Sequence, residues 1–163
     1  MQHRVSCHLS LFPVVLLLTF PLAGVQSGRR VTINEAETTQ AWEALNRKDY
    51  RGAIEHAEGV IGKFDSEATQ QQAELTKDGV PRPPVGKPRD EKSKQAVFAR
   101  GVLNDVASCY FIKGEALEKA GRTTEAKRSY EAGCKLTYAR TWDPGGWFWD
   151  PSAESCQRAS KIK

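Results

Sequence analysis

Apolar and small residues recur at three- and four-residue intervals along most of the chain, which is typical of helices with one buried face. A first helix is predicted from a cap at Asn34 to about Arg47, and a second from Asp49 to Phe64. The connection between them is only a few residues long, so the two helices must lie antiparallel. No stretch has a convincing strand pattern, and the sequence therefore predicts an all-α fold.

The second half of the chain predicts three more helices. A long one extends from about Ser93 to Ala120, because apolar and small residues step by four and three positions along it. A fourth begins near Thr123. The last follows Asp150, whose side chain can cap it and which precedes a proline, the residue suited to the first helical position. We expect an aromatic turn and this capping helix, residues 141–163, to close the fold.

Residues 65–92 interrupt the helical pattern. Their first part is rich in glutamine, and their second part holds four of the eight prolines in the sequence. Regular structure is not expected in the second part, because proline removes a backbone donor and restricts the chain. Long loops in small domains are usually functional or disordered. We predict a flexible Pro/Gln-rich insertion between a first helix pair at residues 28–64 and a second at residues 93–140.

Residues 1–27 have the three parts of an export signal. They are a weakly positive start with Arg4, an apolar core from Leu11 to Phe20, and a small residue, Ser27, at the cleavage position. The apolar core is shorter than the ~20 residues that cross a bilayer. We expect an exported protein, periplasmic or secreted, with no integral membrane span after cleavage. An uncleaved N-terminal anchor is the alternative.

Export would also allow disulfides, which persist in oxidising compartments. Cys109, Cys134 and Cys156 follow the predicted signal. Three cysteines allow one internal pair, with three choices of partner. The alternative is that they are small buried apolar side chains. Their spacing matches no zinc-binding pattern, so no metal site is expected.

The two predicted helix pairs share an internal spacing, and such repeats indicate a repeat architecture. In both pairs, five positions are separated by nine, three, four and three residues. The first set is Ala41, Tyr50, Ala53, Ala57 and Val60, and the second is Gly114, Thr123, Ala126, Tyr130 and Gly133. Small residues at these positions let helices approach closely, and a large residue fills the space beside them.

With this spacing the chain resembles the tetratricopeptide repeat. Its C-terminal segment from Trp142 to Trp149 is similar to the tail of small exported bacterial repeat proteins of unknown activity. The matching, repeat-packing residues are Ala41 and Ala53 in the first pair and Gly114, Ala126, Tyr130 and Gly133 in the second. The resemblance implies antiparallel helix pairs of a short solenoid, with the Pro-rich insertion between them. The alternative is a generic antiparallel helical bundle.

The resemblance also implies a concave groove, lined by the first helix of each pair, in which such repeats hold a peptide. The groove residues would be Trp42 and Leu45 from the first pair and Phe111, Glu115 and Glu118 from the second. An apolar groove with acidic rims suits a peptide that carries aliphatic and basic groups. The alternative is that Trp42 and Phe111 are buried inside the fold.

Four aromatic residues lie within eight positions of the predicted turn: Trp142, Trp147, Phe148 and Trp149. Exposed aromatic side chains can stack on sugar rings or anchor a protein partner. They can equally cover the open end of the second helix pair, where each buried ring would contribute about 1.5–3 kcal/mol. An aromatic cap and an alternative glycan site therefore both stay open.

Residues typical of catalysis and of cofactor binding are scarce. His56 is the only histidine after the predicted signal, so neither a histidine-based metal site nor a cofactor is expected. Asp143 and Asp150 are the one carboxylate pair that could hydrolyse a glycan, although a turn and a helix cap explain them better. The net charge is +4, and the basic residues are interleaved with acidic ones, which argues against nucleic-acid binding.

These patterns predict a non-catalytic exported module that binds a peptide or protein partner through a helical groove. The alternative is a cell-envelope protein that binds or hydrolyses glycan with its Trp-rich turn. Two helix pairs are few for a solenoid, whose open ends must be covered. The aromatic turn and the last helix would cover one end. The inserted loop, a second copy of the chain in a homo-oligomer, or a partner would cover the outer face of the first helix.

Overall fold

The structure, a computed structural model, describes residues 32–163. The predicted signal, residues 1–27, lies outside this part of the chain. The elements of residues 32–163 are α1 (Ile33–Asn46), α2 (Tyr50–Lys77), α3 (Glu91–Phe98), α4 (Gly101–Lys119), α5 (Thr123–Gly133), β1 (Thr141–Asp143), β2 (Trp147–Trp149) and α6 (Pro151–Lys161). The all-α prediction is confirmed in its main feature, since the sheet has only two short strands.

The helices pack around one core. α2 lies against α1 and α4, whereas α4 also contacts α1, α5 and α6, and α5 packs on α6. The helices of each predicted pair are in contact, α1 with α2 and α4 with α5. The largest of the fully buried aliphatic side chains lie on α2 and α4: Val60, Leu103, Val106, Ile112 and Leu117.

Polar side chains cap the N-termini of α1 and α2. The hydroxyl of Thr32 accepts the backbone N–H of Glu35 at 3.4 Å. Asp49 accepts the backbone N–H of Gly52 at 2.9 Å, which confirms the predicted cap of the second helix. The predicted cap at Asn34 is wrong, because that side chain is buried and donates to Asp105 on α4.

The predicted insertion at residues 65–92 is wrong in its first half, because α2 continues to Lys77. The sequence from 65 to 77 contains neither proline nor glycine, so nothing in it ends a helix. Ala68 is fully buried, which shows that this extension packs on the domain. The helix stops just before Gly79, whose positive φ of +63° suits glycine at a helix end.

The predicted insertion is also wrong at its end, because Glu91 and Lys92 belong to α3. Its middle part, residues 78–90, is bonded to the C-terminal part of the chain. The carbonyl of Val80 accepts the hydroxyl of Tyr138 at 2.7 Å. Gly86 and Phe148 exchange two backbone hydrogen bonds of 2.8 and 2.9 Å. Prolines prevent a helix here but leave the carbonyl groups free to bond elsewhere. The backbone of this segment therefore belongs to the folded domain, which corrects the prediction of a flexible insertion.

The helix predicted from Ser93 to Ala120 is two helices in the structure, because the chain turns at Arg100 between α3 and α4. The side chain of Asn104 donates to the carbonyl of Val97 at 2.8 Å. The same carbonyl accepts the backbone N–H of Arg100 at 3.1 Å, so both bonds join the end of α3 to the chain that follows it.

The contact between α4 and α5 depends on a missing side chain. A Cβ atom at Gly114 would lie 2.5 Å from Cε1 of Tyr130, so a larger residue would displace the ring. The Tyr130 hydroxyl donates to Glu118 at 3.0 Å, and burial together with this bond raises the pKa of Tyr130. All six predicted repeat-packing residues are buried: Ala41, Ala53, Gly114, Ala126, Tyr130 and Gly133.

A disulfide joins Cys134, at the end of α5, to Cys156 in α6, with the Cα atoms 4.8 Å apart. This is one of the pairings that the sequence left open. Its sequence separation of 22 restricts the unfolded chain enough to stabilise the fold by about 3 kcal/mol. Cys109 is a buried free thiol on α4, and burial raises its pKa to about 12.

Gly114→Ala should destabilise the protein by about 1–3 kcal/mol, because the added methyl group would overlap the fixed ring of Tyr130. Gly62→Ala is the matched control, since Gly62 is exposed in α2 and a Cβ there would meet nothing within 4 Å. The control should stabilise the protein by up to about 1 kcal/mol. Urea unfolding followed by circular dichroism measures both, and equal effects would contradict the close α4–α5 contact.

Candidate functional site

A short β-hairpin before α6 forms one wall of the candidate site. β1 and β2 pair antiparallel, with Thr141 opposite Trp149 and Asp143 opposite Trp147. The Gly146 amide donates to the Asp143 carbonyl at 2.9 Å, and Gly146 has a φ of +92°, which favours glycine in such three-residue turns. The sequence prediction missed these strands, although a Gly-Gly pair between aromatic residues is a hairpin signal.

Alternation along the two strands divides the aromatic residues of the hairpin between two faces. Trp142 and Phe148 share the face that packs on α3, with ring centroids 5.6 and 5.5 Å from that of Phe98. Lys94 Nζ lies 4.9 Å from the centroid of the Trp142 ring. Phe148 is fully buried. These two aromatic side chains therefore hold the hairpin on the helical domain.

Trp147 and Trp149 lie on the opposite face of the hairpin. The Trp149 ring meets Phe111 at 5.2 Å and Trp42 at 6.1 Å, in both cases edge to face. Phe111 also contacts Tyr130, with ring centroids 6.0 Å apart. Each such aromatic pair contributes about 0.5–1.5 kcal/mol beyond its buried area. A continuous row of rings thus connects the α4–α5 contact to the hairpin.

An open cleft of about 390 Å³ lies between α1 and the hairpin. Its lining residues are Thr39, Trp42, Glu43 and Asn46 from α1 and Thr141, Trp142, Asp143, Pro144 and Trp149 from the hairpin. A volume of this size falls within the range of ligand-binding pockets, about 300–1,000 Å³. The structure therefore unites Trp42, predicted for a peptide groove, with Trp142 and Trp149, predicted for an aromatic turn.

The sequence reasoning missed the polar residues of the α1 wall. Thr39, Glu43 and Asn46 stand three or four positions from Trp42 or from one another, so all four share one helix face. That face is mostly polar, and a search for apolar stripes passes over it. A tryptophan in the middle of a polar helix face is the signal that could have identified this wall.

The structure does not assemble the predicted groove of five residues. Phe111 is only 6% exposed and supports Trp42 and Trp149 from the core side. Leu45 packs against the core. The prediction fails because α4 lies in the middle of the fold, where α1, α2, α5 and α6 cover it. Of the predicted groove residues, only Trp42 lines the cleft.

The two acidic residues predicted for the rim of the groove lie near α6 instead. Glu118 accepts hydrogen bonds from the hydroxyl of Tyr130 at 3.0 Å and from Arg158 at 3.4 Å. Glu115 attracts the same arginine electrostatically. Both carboxylates therefore belong to the contact of α4 with α5 and α6, and neither lines the cleft.

A buried ion pair closes the open end of the hairpin. Arg140 precedes β1, is 5% exposed, and its Nη1 lies 3.0 Å from Oδ2 of Asp150, which follows β2. Arg140 also donates from Nε to the carbonyl of Pro83 at 2.9 Å and from Nη1 to that of Ala139 at 2.6 Å. Burial lowers the pKa of Arg140, and the carboxylate of Asp150 opposes that effect.

The carboxylate pair considered for glycan hydrolysis does not meet in the cleft. Asp143 lines the cleft, whereas Asp150 does not. Oδ1 of Asp150 accepts the backbone N–H groups of Ser152 and Ala153 at 3.0 and 2.9 Å, which confirms the predicted cap of the last helix. Its other oxygen binds Arg140. Asp150 is therefore committed to structural bonds.

Comparisons with known proteins give no family for this chain. No protein family, curated protein or solved structure matches it. The resemblance to the tetratricopeptide repeat therefore stays a prediction. Within residues 32–163, no group of three or more His, Cys, Asp or Glu side chains could hold a metal ion. No helix of the same residues has the length and apolar character to cross a membrane.

Arg140→Met should destabilise the protein by about 3 kcal/mol, because it leaves the carboxylate of Asp150 without its partner. Arg158→Met is the matched control. Arg158 pairs with Glu118 and Glu154 but is 30% exposed, so its loss should cost no more than about 1 kcal/mol. Urea unfolding measures both variants, and a loss of the same size in each would contradict the role given to Arg140.

Proposed function

We propose that the protein is an exported, non-catalytic binding module whose cleft between α1 and the hairpin holds a segment of a peptide or protein partner. The observation that carries this proposal is the meeting of Trp42 and Trp149 in an open cleft, with Phe111 fixed behind them. Tryptophans are frequent anchors of protein interfaces. Because these rings are already packed in place, a ligand pays little entropy to order them.

We further propose that α1 with α2 and α4 with α5 form a short tetratricopeptide-like array. Its support is the identical spacing in the two pairs, the burial of all six repeat-packing residues and the close fit of Tyr130 to Gly114. In this proposal α6 and the hairpin cap the end of the array. The cleft then takes the place of the longer groove that a complete array would have.

The proposal of export rests on two independent features. Residues 1–27 have the sequence pattern of a cleavable signal. The disulfide between Cys134 and Cys156 is of a kind that persists in oxidising compartments and is rare in the cytosol.

A cell-envelope glycan is the second candidate ligand. The specific observation in its favour is that tryptophan rings and polar groups share the cleft, with Thr39 and Asn46 on one wall and Asp143 on the other. Such groups could bind sugar hydroxyls while a ring stacks on the sugar face. A glycan probe therefore accompanies the peptide probe in the experiment.

Selection from a phage library of random peptides, with immobilised protein, is expected to yield peptides that bind the cleft. Trp42→Ala should weaken binding of a selected peptide about thirtyfold, because loss of an anchoring tryptophan costs ~2 kcal/mol or more. Trp147→Ala is the matched control: Trp147 is in the same hairpin, is 37% exposed and does not line the cleft. It should change binding less than about twofold. Fluorescence anisotropy measures the affinities.

Circular dichroism checks the fold of each variant, and Trp42→Phe replaces Trp42→Ala if the latter unfolds. Unchanged affinity in a folded Trp42 variant would show that peptides bind elsewhere. An N-acetylglucosamine tetrasaccharide serves as the glycan probe. Binding of this sugar in the cleft, together with a failure to select peptides, would favour the second candidate.

A further inference from the structure

The charged residues that line the cleft are all acidic. Among its nine lining residues, Glu43 on the α1 wall and Asp143 on the hairpin wall are acidic, and none is basic. The two carboxylates come from different elements, so a ligand between the walls meets negative charge from both sides. The whole chain, by contrast, has a net charge of +4. The acidic character of the cleft is therefore a local feature.

The two acidic residues differ in exposure, since Glu43 is exposed and Asp143 is half-buried. Glu43 lies 3.7 Å from Arg47 one turn along α1, but the two side chains are 60% and 66% exposed. An exposed pair of this kind contributes little to stability, so a ligand can replace Arg47 at low cost. Asp143 accepts the backbone N–H of Gly145 through Oδ1 at 2.6 Å, and this bond fixes the carboxylate at the hairpin turn.

The aromatic rings of the cleft also favour a cationic ligand. A cation is attracted to the face of an aromatic ring, and tryptophan is the strongest such partner. The chain already shows this contact at a ring that lines the cleft, because Lys94 Nζ lies 4.9 Å from the centroid of the Trp142 ring. In the cleft, Trp42 and Trp149 combine rings with two nearby carboxylates, which is a setting for a cationic side chain with an apolar stem.

We propose that the cleft recognises a lysine or arginine side chain of its peptide ligand, with the cationic group between Glu43 and Asp143 and the aliphatic stem against Trp42 and Trp149. This inference rests on the proposed binding function and adds the chemistry that selects the partner. An acidic peptide would be repelled by both carboxylates. A purely apolar side chain would bury them without a compensating charge, which is costly. A basic segment is the class of ligand that satisfies both the rings and the carboxylates.

The test begins with sequences of peptides selected from the random library. The proposal predicts that a lysine or arginine is enriched at one fixed position when wild-type protein is used. A double variant, Glu43→Gln with Asp143→Asn, should lose that enrichment. Its matched control is Glu67→Gln with Asp78→Asn, two exposed acidic residues that do not line the cleft. The control should select the same peptides as the wild-type protein.

Affinity measurements then determine how much the positive charge of the peptide contributes to binding. Replacing the enriched basic residue of a selected peptide by norleucine should weaken binding to wild-type protein about tenfold, but binding to the Glu43→Gln, Asp143→Asn variant less than about twofold. The difference should shrink at high salt, because screening weakens exposed charge pairs. Circular dichroism verifies that the variants fold.

The outcomes separate this inference from the function on which it rests. Peptides that bind the cleft without an enriched basic residue, or an equal effect of norleucine on both proteins, would overturn the inference and leave the binding function intact. Failure to select any peptide, with binding of the N-acetylglucosamine tetrasaccharide, would overturn both.

Discussion

Burial of a guanidinium group removes its hydration, and the fold must replace each lost bond or the charge destabilises the protein. Arg140 obtains these bonds from the carbonyls of Pro83 and Ala139 and from the carboxylate of Asp150. The partners belong to different segments: the proline-rich stretch after α2, the chain before β1 and the cap of α6. One buried side chain therefore fixes the hairpin, and with it one wall of the cleft, relative to the rest of the domain.

The cleft obtains its rigidity from the same packing that holds the helices together. The absence of a side chain at Gly114 admits the ring of Tyr130, which packs on Phe111, which in turn supports Trp42 and Trp149. Since α4 is covered by its neighbours, the accessible aromatic surface lies at the edge of the fold, where α1 faces the hairpin. A preformed site of this kind suits binding, because its residues are ordered before a ligand arrives.

The sequence predicted those features of the fold that depend on residues within one or two helical turns of each other. Helical periodicity located most helices, and the caps at Asp49 and Asp150 marked two of their beginnings. The burial of Arg140 and the bonded state of residues 78–90 depend on partners far along the chain, which a local pattern does not contain. For the same reason the tryptophans of the cleft were recognised individually but assigned to two separate sites.

The indole N–H signals of the four tryptophans offer the most direct measurement. In a two-dimensional ¹H–¹⁵N spectrum each tryptophan gives one such signal, and single Trp→Phe variants assign them. On titration with a peptide selected by the protein, the account predicts that the signals of Trp42 and Trp149 shift together and saturate at one affinity, while that of Trp147 stays in place. Shifts confined to Trp147, or none at Trp42 and Trp149 when the peptide is bound, would contradict the claim that the cleft is the binding site.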